Sequence, residues 1–368
     1  MTEATDVIVV GGGAVGAACA RELVRAGRRV RVLEPDADRG EAWRAAAGML
    51  APQIEARAGD ALLDLGLAGR DLYVQLAPAL QEATGIDIGL WRGGIANVAL
   101  HESDLTSLRG KVAWQRQQGH LCDWLDATEV KARWPWLGPT LGALWAPREG
   151  ALDPRRLVQA LRADAAAQGA EMVRDEAVAI ETRGDRVVGV AGRERHYPAD
   201  QVVLAAGAWS GRVAGLPRPL SIEPIRGEMA ALPWPPGMER AILYSRDCYL
   251  VARDGEAVVG STMEYAGFDA SVTSAGLARI MAGAALLAPG LAELEVRRTW
   301  AGLRPATPDG LPILGPEPRL RGLWYATGHG RNGILLAGIS ALLLRLMLTG
   351  QRPTEDLTAL RPDRFWSW

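Results

Sequence analysis

The sequence predicts an α/β protein: a Rossmann-like domain with a doubly wound parallel sheet, carrying an inserted α+β domain built on a mixed or antiparallel sheet. Two observations predict this class. The chain begins with a buried strand, a glycine-rich turn, an amphipathic helix and a second strand. Short strand-like stretches rich in Gly and Pro then replace that pattern twice. We therefore assign 1–85, 150–220 and 300–368 to the nucleotide-binding domain, and 86–149 and 221–299 to the inserted one.

The first element carries the clearest motif. Val7–Val10 is an apolar run typical of a buried parallel strand. Three glycines follow it in the spacing G-x-G-x-x-G, at Gly11, Gly13 and Gly16. They allow a tight turn, the approach of a pyrophosphate, and close packing of helix on strand. Glu34 ends the second strand, where its carboxylate can accept hydrogen bonds from both hydroxyls of a ribose. These features predict a bound dinucleotide and suit NAD and FAD equally.

The composition excludes several classes of protein. The 368 residues are enough for two domains with separate cores. The formal net charge of -2 gives no electrostatic reason to expect nucleic acid or an anionic membrane as partner. Cys19, Cys122 and Cys248 are too few and too scattered for a disulfide framework or a thiolate metal site. We expect a reducing, cytoplasmic compartment, no bound metal, and neither a secretory signal nor an anchor at the N-terminus.

One apolar segment near the C-terminus needs a membrane test. Ile334–Leu348 is 15 residues long, carries Arg345, and is otherwise almost wholly apolar. A membrane-spanning helix needs about 20 residues. The segment therefore predicts a helix buried inside the protein and no membrane span.

A run of small residues, Ala45–Gly48, follows Glu34. Such a backbone can pass close to a flat ring or a phosphate, although small residues also permit tight helix packing. The neighbouring glycine motif favours the cofactor role. Further along, Gln201–Ser210 contains a buried strand that ends in Ala-Ala-Gly. A second strand end that meets the ligand suits a cofactor spread across the sheet, which favours FAD over NAD.

Two local signals lie in the middle of the chain. Ala151–Gly169 has a helical pattern with Asp153 as its N-cap. Cys248–Glu264 reads as two alternating strands around Asp254-Gly255, a strong hairpin signal. Tyr249 in this hairpin offers a hydroxyl to a ligand, although a tyrosine on a strand is more often a packing residue.

Arg304 is the candidate substrate ligand. It precedes Pro305, which biases it towards an extended conformation, so its guanidinium projects from a rigid segment. A surface salt bridge is the ordinary role of an arginine. The flanking residues Gly302 and Leu303 favour instead a bidentate clamp on a carboxylate.

The last motif is a glycine-rich turn before the apolar helix. Gly328, Gly330 and Gly333 leave backbone N–H groups free at the helix N-terminus, which predicts an anion site. The helix dipole can stabilise negative charge that develops on a flavin. His329 lies in the same turn and can contribute to this effect or make a structural hydrogen bond.

Five stretches together resemble the D-amino-acid oxidase superfamily of FAD-dependent amine oxidases, and within it the glycine oxidases of thiamine biosynthesis. They are GGGAVG with Glu34, AAAGMLAP, CYLVAR, WAGLRPATPDGLPILG and GHGRNGI, spread over residues 11 to 334. The resemblance covers essentially the whole chain. It implies the fold of that superfamily and a noncovalently bound FAD.

The resemblance also implies roles for individual residues. Tyr249 and Arg304 match the ligands of the substrate carboxylate, and the backbone carbonyl of Arg331 matches the acceptor for the substrate amine. Met263 and Gly330 match the substrate pocket. The residues expected to contact FAD are Gly11, Gly13, Ala14, Val15, Gly16, Glu34, Ala46, Ala47, Gly48, Met49, Val178, Ala206, Gly207, Trp209, Gly302, Arg304, His329, Gly330, Arg331, Asn332, Gly333 and Ile334.

Two residues depart from the pattern of the superfamily. Gly330 stands where many relatives carry a larger, often aromatic residue, and Ala252 replaces a common proline. Both changes leave the size and rigidity of the substrate pocket open.

The activity implied is oxidative deamination of glycine and other small amines by hydride transfer from Cα to flavin N5. Dioxygen would be the acceptor, giving glyoxylate, ammonia and H2O2, with the imine feeding a thiazole synthase downstream. Such a reaction mainly requires positioning, which fits a chain without a Ser/His/Asp pattern or metal-ligand spacing. We also expect a homo-oligomer, with the tryptophan-rich insert as a candidate interface.

Two alternatives stay open. One is an FAD-dependent oxidase or dehydrogenase of sarcosine, D-proline or another small amino acid. The other is a non-catalytic protein that FAD stabilises for contacts with other proteins.

Overall fold

The computed structural model describes residues 5–35, 38–57 and 59–365. Its strands, in chain order, are β1 (Thr5–Val10), β2 (Val30–Leu33), β3 (Met49–Leu50), β4 (Ile95–Ala99), β5 (Asp123–Asp126), β6 (Gly142–Ala146), β7 (Gly150–Ala151), β8 (Glu171–Val173), β9 (Ala177–Arg183), β10 (Arg186–Gly192), β11 (His196–Leu204), β12 (Glu223–Pro233), β13 (Ile242–Tyr244), β14 (Tyr249–Arg253), β15 (Glu256–Gly260), β16 (Arg298–Ala306), β17 (Ile313–Pro316) and β18 (Leu323–Thr327).

The helices, in chain order, are α1 (Ala14–Arg25), α2 (Ala42–Ala45), α3 (Pro52–Glu55), α4 (Leu62–Thr84), α5 (Glu102–Gln117), α6 (Ala127–Arg133), α7 (Pro154–Ala167), α8 (Ser274–Leu287) and α9 (Gly333–Leu348). Short 3-10 turns lie at Gly207–Arg212, Pro289–Leu291, Gly330–Asn332, Thr358–Leu360 and Pro362–Phe365.

The first sheet has the predicted doubly wound core. Its parallel strands stand in the order β18-β11-β1-β2-β8, so β1 lies at the centre between β11 and β2. Strand β17 adds an antiparallel edge, and β9 and β10 extend β11 as an antiparallel ribbon. Because β1 is covered on both sides, Val7, Ile8 and Val9 have no exposed surface.

The second sheet has the order β16-β12-β15-β14-β13-β4-β6-β5. All of its pairs are antiparallel except β13 with β4, so it is the mixed sheet that the sequence predicts. Strand β16 pairs with β12 from Glu223 opposite Ala306 to Ala231 opposite Arg298. Residues 300–306, which we assigned to the nucleotide-binding domain, therefore form a strand of the second sheet.

The predicted local signals lie where expected. Asp153 caps α7 by accepting hydrogen bonds from the backbone N–H groups of Arg155 and Arg156, at 2.8 and 3.1 Å. At the hairpin between β14 and β15, Asp254 and Gly255 have φ values of 48° and 73°. This left-handed pair matches the turn that Asp-Gly favours, because that turn follows the twist of the two strands.

Helix α9 is a core helix. Gly330–Leu348 is long and apolar enough to cross a membrane, yet 56% of its most apolar stretch is buried inside the protein. Helix α4 packs so closely that a Cβ on Gly69 would lie 2.6 Å from the Leu335 carbonyl oxygen. The Tyr73 hydroxyl also donates a 2.5 Å hydrogen bond to the Ile334 carbonyl. These contacts confirm the prediction of a buried helix.

A substitution at Gly16 tests the packing of α1 on the glycine loop. A Cβ at this position would lie 1.8 Å from the Gly11 carbonyl oxygen, so we expect Gly16→Ala to lower the free energy of unfolding by about 2 kcal/mol. Urea unfolding followed by tryptophan fluorescence measures the change. Gly110→Ala is the matched control, because Gly110 is an exposed position of α5 with open space at its Cβ. It should raise the free energy of unfolding by roughly 0.5–1 kcal/mol. Equal behaviour of the two variants would contradict the packing argument.

Candidate active site

A cavity of about 740 Å³ lies where the carboxyl ends of the parallel strands meet the second sheet. One wall consists of residues that end or follow β1, β2, β11 and β18, and another consists of residues of β12, β14 and β16. Ligands of doubly wound sheets bind at this end of the strands. All the residues that the sequence suggested for cofactor and substrate line the cavity, with the exception of Gly16. A Cβ on Gly16 would lie 1.8 Å from the Gly11 carbonyl oxygen, so this glycine lets α1 pack closely on the loop.

The glycine loop is held in one conformation by its neighbours. Gly11 has a φ of +95°, and a Cβ there would lie 2.6 Å from the Ala205 carbonyl oxygen, so this position requires glycine. The Glu34 carboxylate accepts a 2.7 Å hydrogen bond from the Gly12 N–H. Arg162 reaches the same place from α7, donating to the Gly12 carbonyl at 2.7 Å and to Glu34 at 2.7 Å. Glu34, the residue predicted to bind the ribose, is therefore held in one orientation by the loop and by Arg162, which the sequence motif does not include.

The small residues before Met49 are needed for two close approaches. Gly48 has a φ of +84°, and a Cβ there would lie 2.0 Å from the Leu152 carbonyl oxygen. The Ala45 side chain meets Gly302, where a Cβ would lie 2.5 Å from the Ala45 Cβ. The run thus serves tight packing, as the alternative interpretation held, and it also lines the cavity with a nearly bare backbone.

Arg304 and Tyr249 come together in the cavity, on β16 and β14. The Arg304 guanidinium donates hydrogen bonds to the Ser261 hydroxyl at 2.6 Å and to the Thr262 carbonyl at 3.1 Å. Burial raises the pKa of the Tyr249 hydroxyl, and the charge of Arg304 opposes that change. Burial likewise lowers the pKa of Arg304, against the effect of the nearby Tyr249. The Tyr249 hydroxyl itself donates a 3.1 Å hydrogen bond to the Met229 sulfur. A cation and a neutral hydroxyl are therefore presented side by side.

Glycines make room for this pair. A Cβ on Gly227 would lie 2.2 Å from the Arg304 guanidinium. A Cβ on Gly260, which stands opposite Tyr249 in the sheet, would lie 3.2 Å from the Tyr249 hydroxyl and 2.4 Å from the Met229 sulfur. Larger residues at these two glycine positions would therefore displace the Arg304 guanidinium or the Tyr249 side chain.

No pattern in the sequence indicates the partners of Arg331. Its guanidinium forms a 3.0 Å ion pair with Glu55 and donates a 2.7 Å hydrogen bond to the Tyr244 hydroxyl. Burial raises the pKa of the Glu55 carboxyl, while the charges of Arg331 and Arg304 oppose that change. Burial lowers the pKa of Arg331, but Glu55 and Tyr244 raise it more, so its pKa stands above the usual value. Glu55 lines the cavity beside two arginines.

The turn before α9 faces the cavity, as predicted. His329, Asn332 and Gly333 line it, and no side chain of the described residues caps the helix. His329 is buried, its Nε2 lies 3.0 Å from the Ser340 hydroxyl, and burial lowers its pKa to about 4. At neutral pH this histidine is therefore uncharged and makes the structural hydrogen bond. Negative charge in the cavity can be stabilised by the helix N-terminus instead.

Residues 6–346 match the sequence profile of a family described as FAD dependent oxidoreductase, abbreviated DAO. The chain belongs to this family. It is 35% identical to a glycine oxidase of Geobacillus kaustophilus, over 97% of this chain and 96% of that protein. A crystal structure of glycine oxidase from that organism superposes with a TM-score of 0.95 at 33% identity and covers 100% of both chains. A bifunctional protein ThiO/ThiG of Synechocystis is 34% identical over 99% of this chain and 55% of its own length.

The residues present fit the FAD of this FAD-dependent oxidoreductase. Gly11, Gly13 and Gly48 line the cavity without side chains, and the Nε1–H of Trp43 is buried at the cavity without a partner among the described residues. Glu34 stands ready for a ribose. Bound there, FAD supplies the acceptor of a hydride from the substrate.

The substrate end of the cavity is open at Gly330. This residue has a φ of +53°, and nothing lies within 4 Å of a Cβ built on it. Met263 lines the same cavity and is 63% exposed. Ala252, the second departure, is buried within β14 and does not alter the cavity wall.

A second acidic residue, Glu149, contacts the helix α3 that carries Glu55. Glu149 is completely buried, and burial raises its pKa to about 8. Its Oε1 accepts a hydrogen bond from the Gln53 N–H on α3, the helix that carries Glu55. Its Oε2 has no partner among the described residues. Glu149 is therefore protonated at neutral pH and supports the turn that places Glu55.

This arrangement predicts a pH dependence of stability. Because the folded pKa of Glu149 lies above the ordinary 4.5, the unfolded chain binds fewer protons between these values, and stability falls as pH rises from about 4.5 to about 8. Glu149→Gln should remove this part of the slope, in urea unfolding measured across that range. Glu82→Gln, at an exposed position of α4, should leave the slope as it is. Parallel profiles of the wild type and Glu149→Gln would show that Glu149 does not titrate in this way.

Proposed function

We propose that this protein oxidises glycine in an FAD-dependent oxidative deamination. The observation that carries the proposal is the Arg304–Tyr249 pair, which shares one cavity with the glycine loop and with the turn before α9. A guanidinium and a hydroxyl pointed at one place suit a carboxylate. The similarity to glycine oxidases over nearly the whole chain supports glycine as the substrate.

The charges of the cavity favour a small amino acid. At the end of the cavity that Tyr249 lines, Arg304 and Arg331 contribute two cations and Glu55 one anion, so this end carries an excess positive charge before the ligand enters. We propose that Arg304 and Tyr249 bind the substrate carboxylate. The backbone carbonyl of Arg331 then accepts a hydrogen bond from the amine, which orients the Cα–H bond.

The contribution of the chain to the reaction is positioning. A carboxylate held at two points and an amine held at a third leave one orientation of the Cα–H bond, and good orientation can supply on the order of 7–11 kcal/mol of a barrier. No side chain has to remove the Cα proton as a base. The N-terminus of α9 would stabilise the negative charge that the flavin gains with the hydride. Dioxygen is the proposed final acceptor, with H2O2, ammonia and glyoxylate as products.

The proposal extends to the fate of the product. In Synechocystis the region similar to this chain makes up 55% of a bifunctional protein, so a second activity is joined to it there. We propose that the imine formed here serves thiazole synthesis for thiamine, through a separate thiazole synthase. We propose that the protein acts in the cytoplasm. A homo-oligomer through the tryptophan-rich insert remains part of the proposal.

Anaerobic reduction of the bound flavin is the deciding experiment. Glycine, sarcosine, D-alanine and D-proline are added separately to the yellow protein without oxygen, and the loss of flavin absorbance is followed. We expect glycine to bleach the flavin. Bleaching by another of these amines but not by glycine would replace the substrate assignment. Failure of every amine would favour a non-catalytic flavoprotein.

Replacement of Arg304 tests the carboxylate clamp. Arg304→Met removes two charge-assisted hydrogen bonds to the substrate, so we expect kcat/KM for glycine to fall about 100-fold or more. The Kd of glycolate, which keeps the carboxylate and lacks the amine, should rise in parallel. Arg298→Met is the matched control, because Arg298 lies on the same strand, pairs with Glu256 and is 43% exposed. A variant Arg304→Met that still binds glycolate normally would contradict the clamp.

A further inference from the structure

Trp43 stands beside the glycine loop in a position that no motif assigns. It belongs to α2, and its ring lies against Gly13: a Cβ on that glycine would be 3.1 Å from the indole Cδ1 and 3.6 Å from Nε1. Trp43 also lines the cavity. The ring therefore covers the part of the loop where helix α1 begins.

The indole N–H of Trp43 is unsatisfied. Its Nε1 is buried and has no hydrogen-bond partner among the residues that the structure describes. An indole nitrogen is a donor only, so its partner must be an acceptor. Buried donors nearly always have a partner, because leaving one unpaired is costly. The cavity next to the ring is where that acceptor can enter.

A comparison with two other tryptophans shows what is particular to Trp43. Trp124 and Trp136 also bury an unpaired Nε1, but both lie outside the residues that line the cavity. Their N–H groups face protein, whereas that of Trp43 is at a ligand cavity. Its position at the cavity thus distinguishes Trp43 from the other two tryptophans.

The surroundings identify the acceptor as an anion. Gly13 is the N-cap of α1 and brings no side chain, so the first N–H groups of the helix face outwards. The guanidiniums of Arg44 and Arg162 lie 4.5 and 5.4 Å from the centre of the Trp43 ring. Both arginines already pair with carboxylates, Arg44 with Glu41 and Arg162 with Glu34. The N–H groups of the helix N-terminus are therefore the feature that favours a phosphate group. Glu34 reserves the ribose position on the other side of Gly12.

We propose that the Nε1–H of Trp43 donates a hydrogen bond to a pyrophosphate oxygen of FAD. Trp43 is then a cofactor-binding residue, and Arg162 and Arg44 are positioning residues that hold the indole and add positive potential. The proposal concerns the affinity for FAD and holds whatever amine is oxidised.

Trp43→Phe tests this, because it removes the N–H and keeps an aromatic ring between the arginines. FAD is removed from the purified holoenzyme, added back, and its Kd is measured from the quenching of flavin fluorescence. We expect the Kd to rise roughly tenfold to a hundredfold, the range for a hydrogen bond to a charged group. Trp124→Phe and Trp136→Phe, which remove the other two unpaired N–H groups, should leave the Kd unchanged. An unchanged Kd in Trp43→Phe, or an equal rise in the control variants, overturns the proposal.

A second measurement covers a variant that fails to fold. In wild-type protein with ¹⁵N-labelled indoles, FAD addition should move one Nε1–H resonance strongly downfield, and that resonance should be missing in Trp43→Phe. If Trp43→Phe yields no folded protein, Trp43→His, which keeps a ring N–H, provides the assignment. The absence of a downfield shift of the Trp43 resonance on FAD addition overturns the proposal in either case.

Discussion

A partly buried guanidinium on a β-strand is the constraint on which the site depends. Taking the charge of Arg304 out of water is costly unless oxygen atoms replace the lost solvent. The Ser261 hydroxyl and the Thr262 carbonyl do so from one side, and Tyr249 adds a hydroxyl. Gly227 leaves the space that the guanidinium occupies. The position of the cation is therefore set by the second sheet before any ligand arrives.

Hydrogen bonds from neighbours of Arg304 in β16 connect this position to the wall of the cavity that we expect to contact FAD. The Leu303 N–H donates a 2.8 Å hydrogen bond to the Gly40 carbonyl, and the Trp300 indole donates a 3.2 Å hydrogen bond to the Ala45 carbonyl. Arg304 follows Leu303 directly in β16. The segment from Gly40 to Ala45 leads into the small residues that line the cavity. Hydride transfer depends on short distances, and these hydrogen bonds connect the proposed carboxylate-binding arginine directly to the cavity wall proposed to bind FAD.

How far the sequence predicts this molecule depends on whether a signal is local. The glycine loop, the Asp153 cap, the Asp254-Gly255 hairpin and the apolar helix α9 each depend on neighbouring residues, and all appear as predicted. The pairing of Glu55 with Arg331 joins positions at opposite ends of the chain, and no spacing rule reports it. Arg162 reaches the glycine loop from α7 for the same reason. The motif assigns Gly16 to close packing of helix on strand, and the structure shows the atom that requires it, the Gly11 carbonyl oxygen.

We expect the balance of charge, more than the size of the cavity, to select the ligand. Glu55 and the Tyr244 hydroxyl already pair with Arg331. No carboxylate among the described residues pairs with Arg304, so we expect a ligand carboxylate to meet its charge. His329 is uncharged because burial lowers its pKa to about 4, and it adds no further positive charge. One carboxylate therefore completes the site, and a ligand without one leaves a partly buried cation unpaired. Because Gly330 leaves open space, a bulky side chain meets little steric resistance there. Discrimination among small amino acids must then come from the orientation of the amine, which is the interaction that the Arg331 backbone would provide.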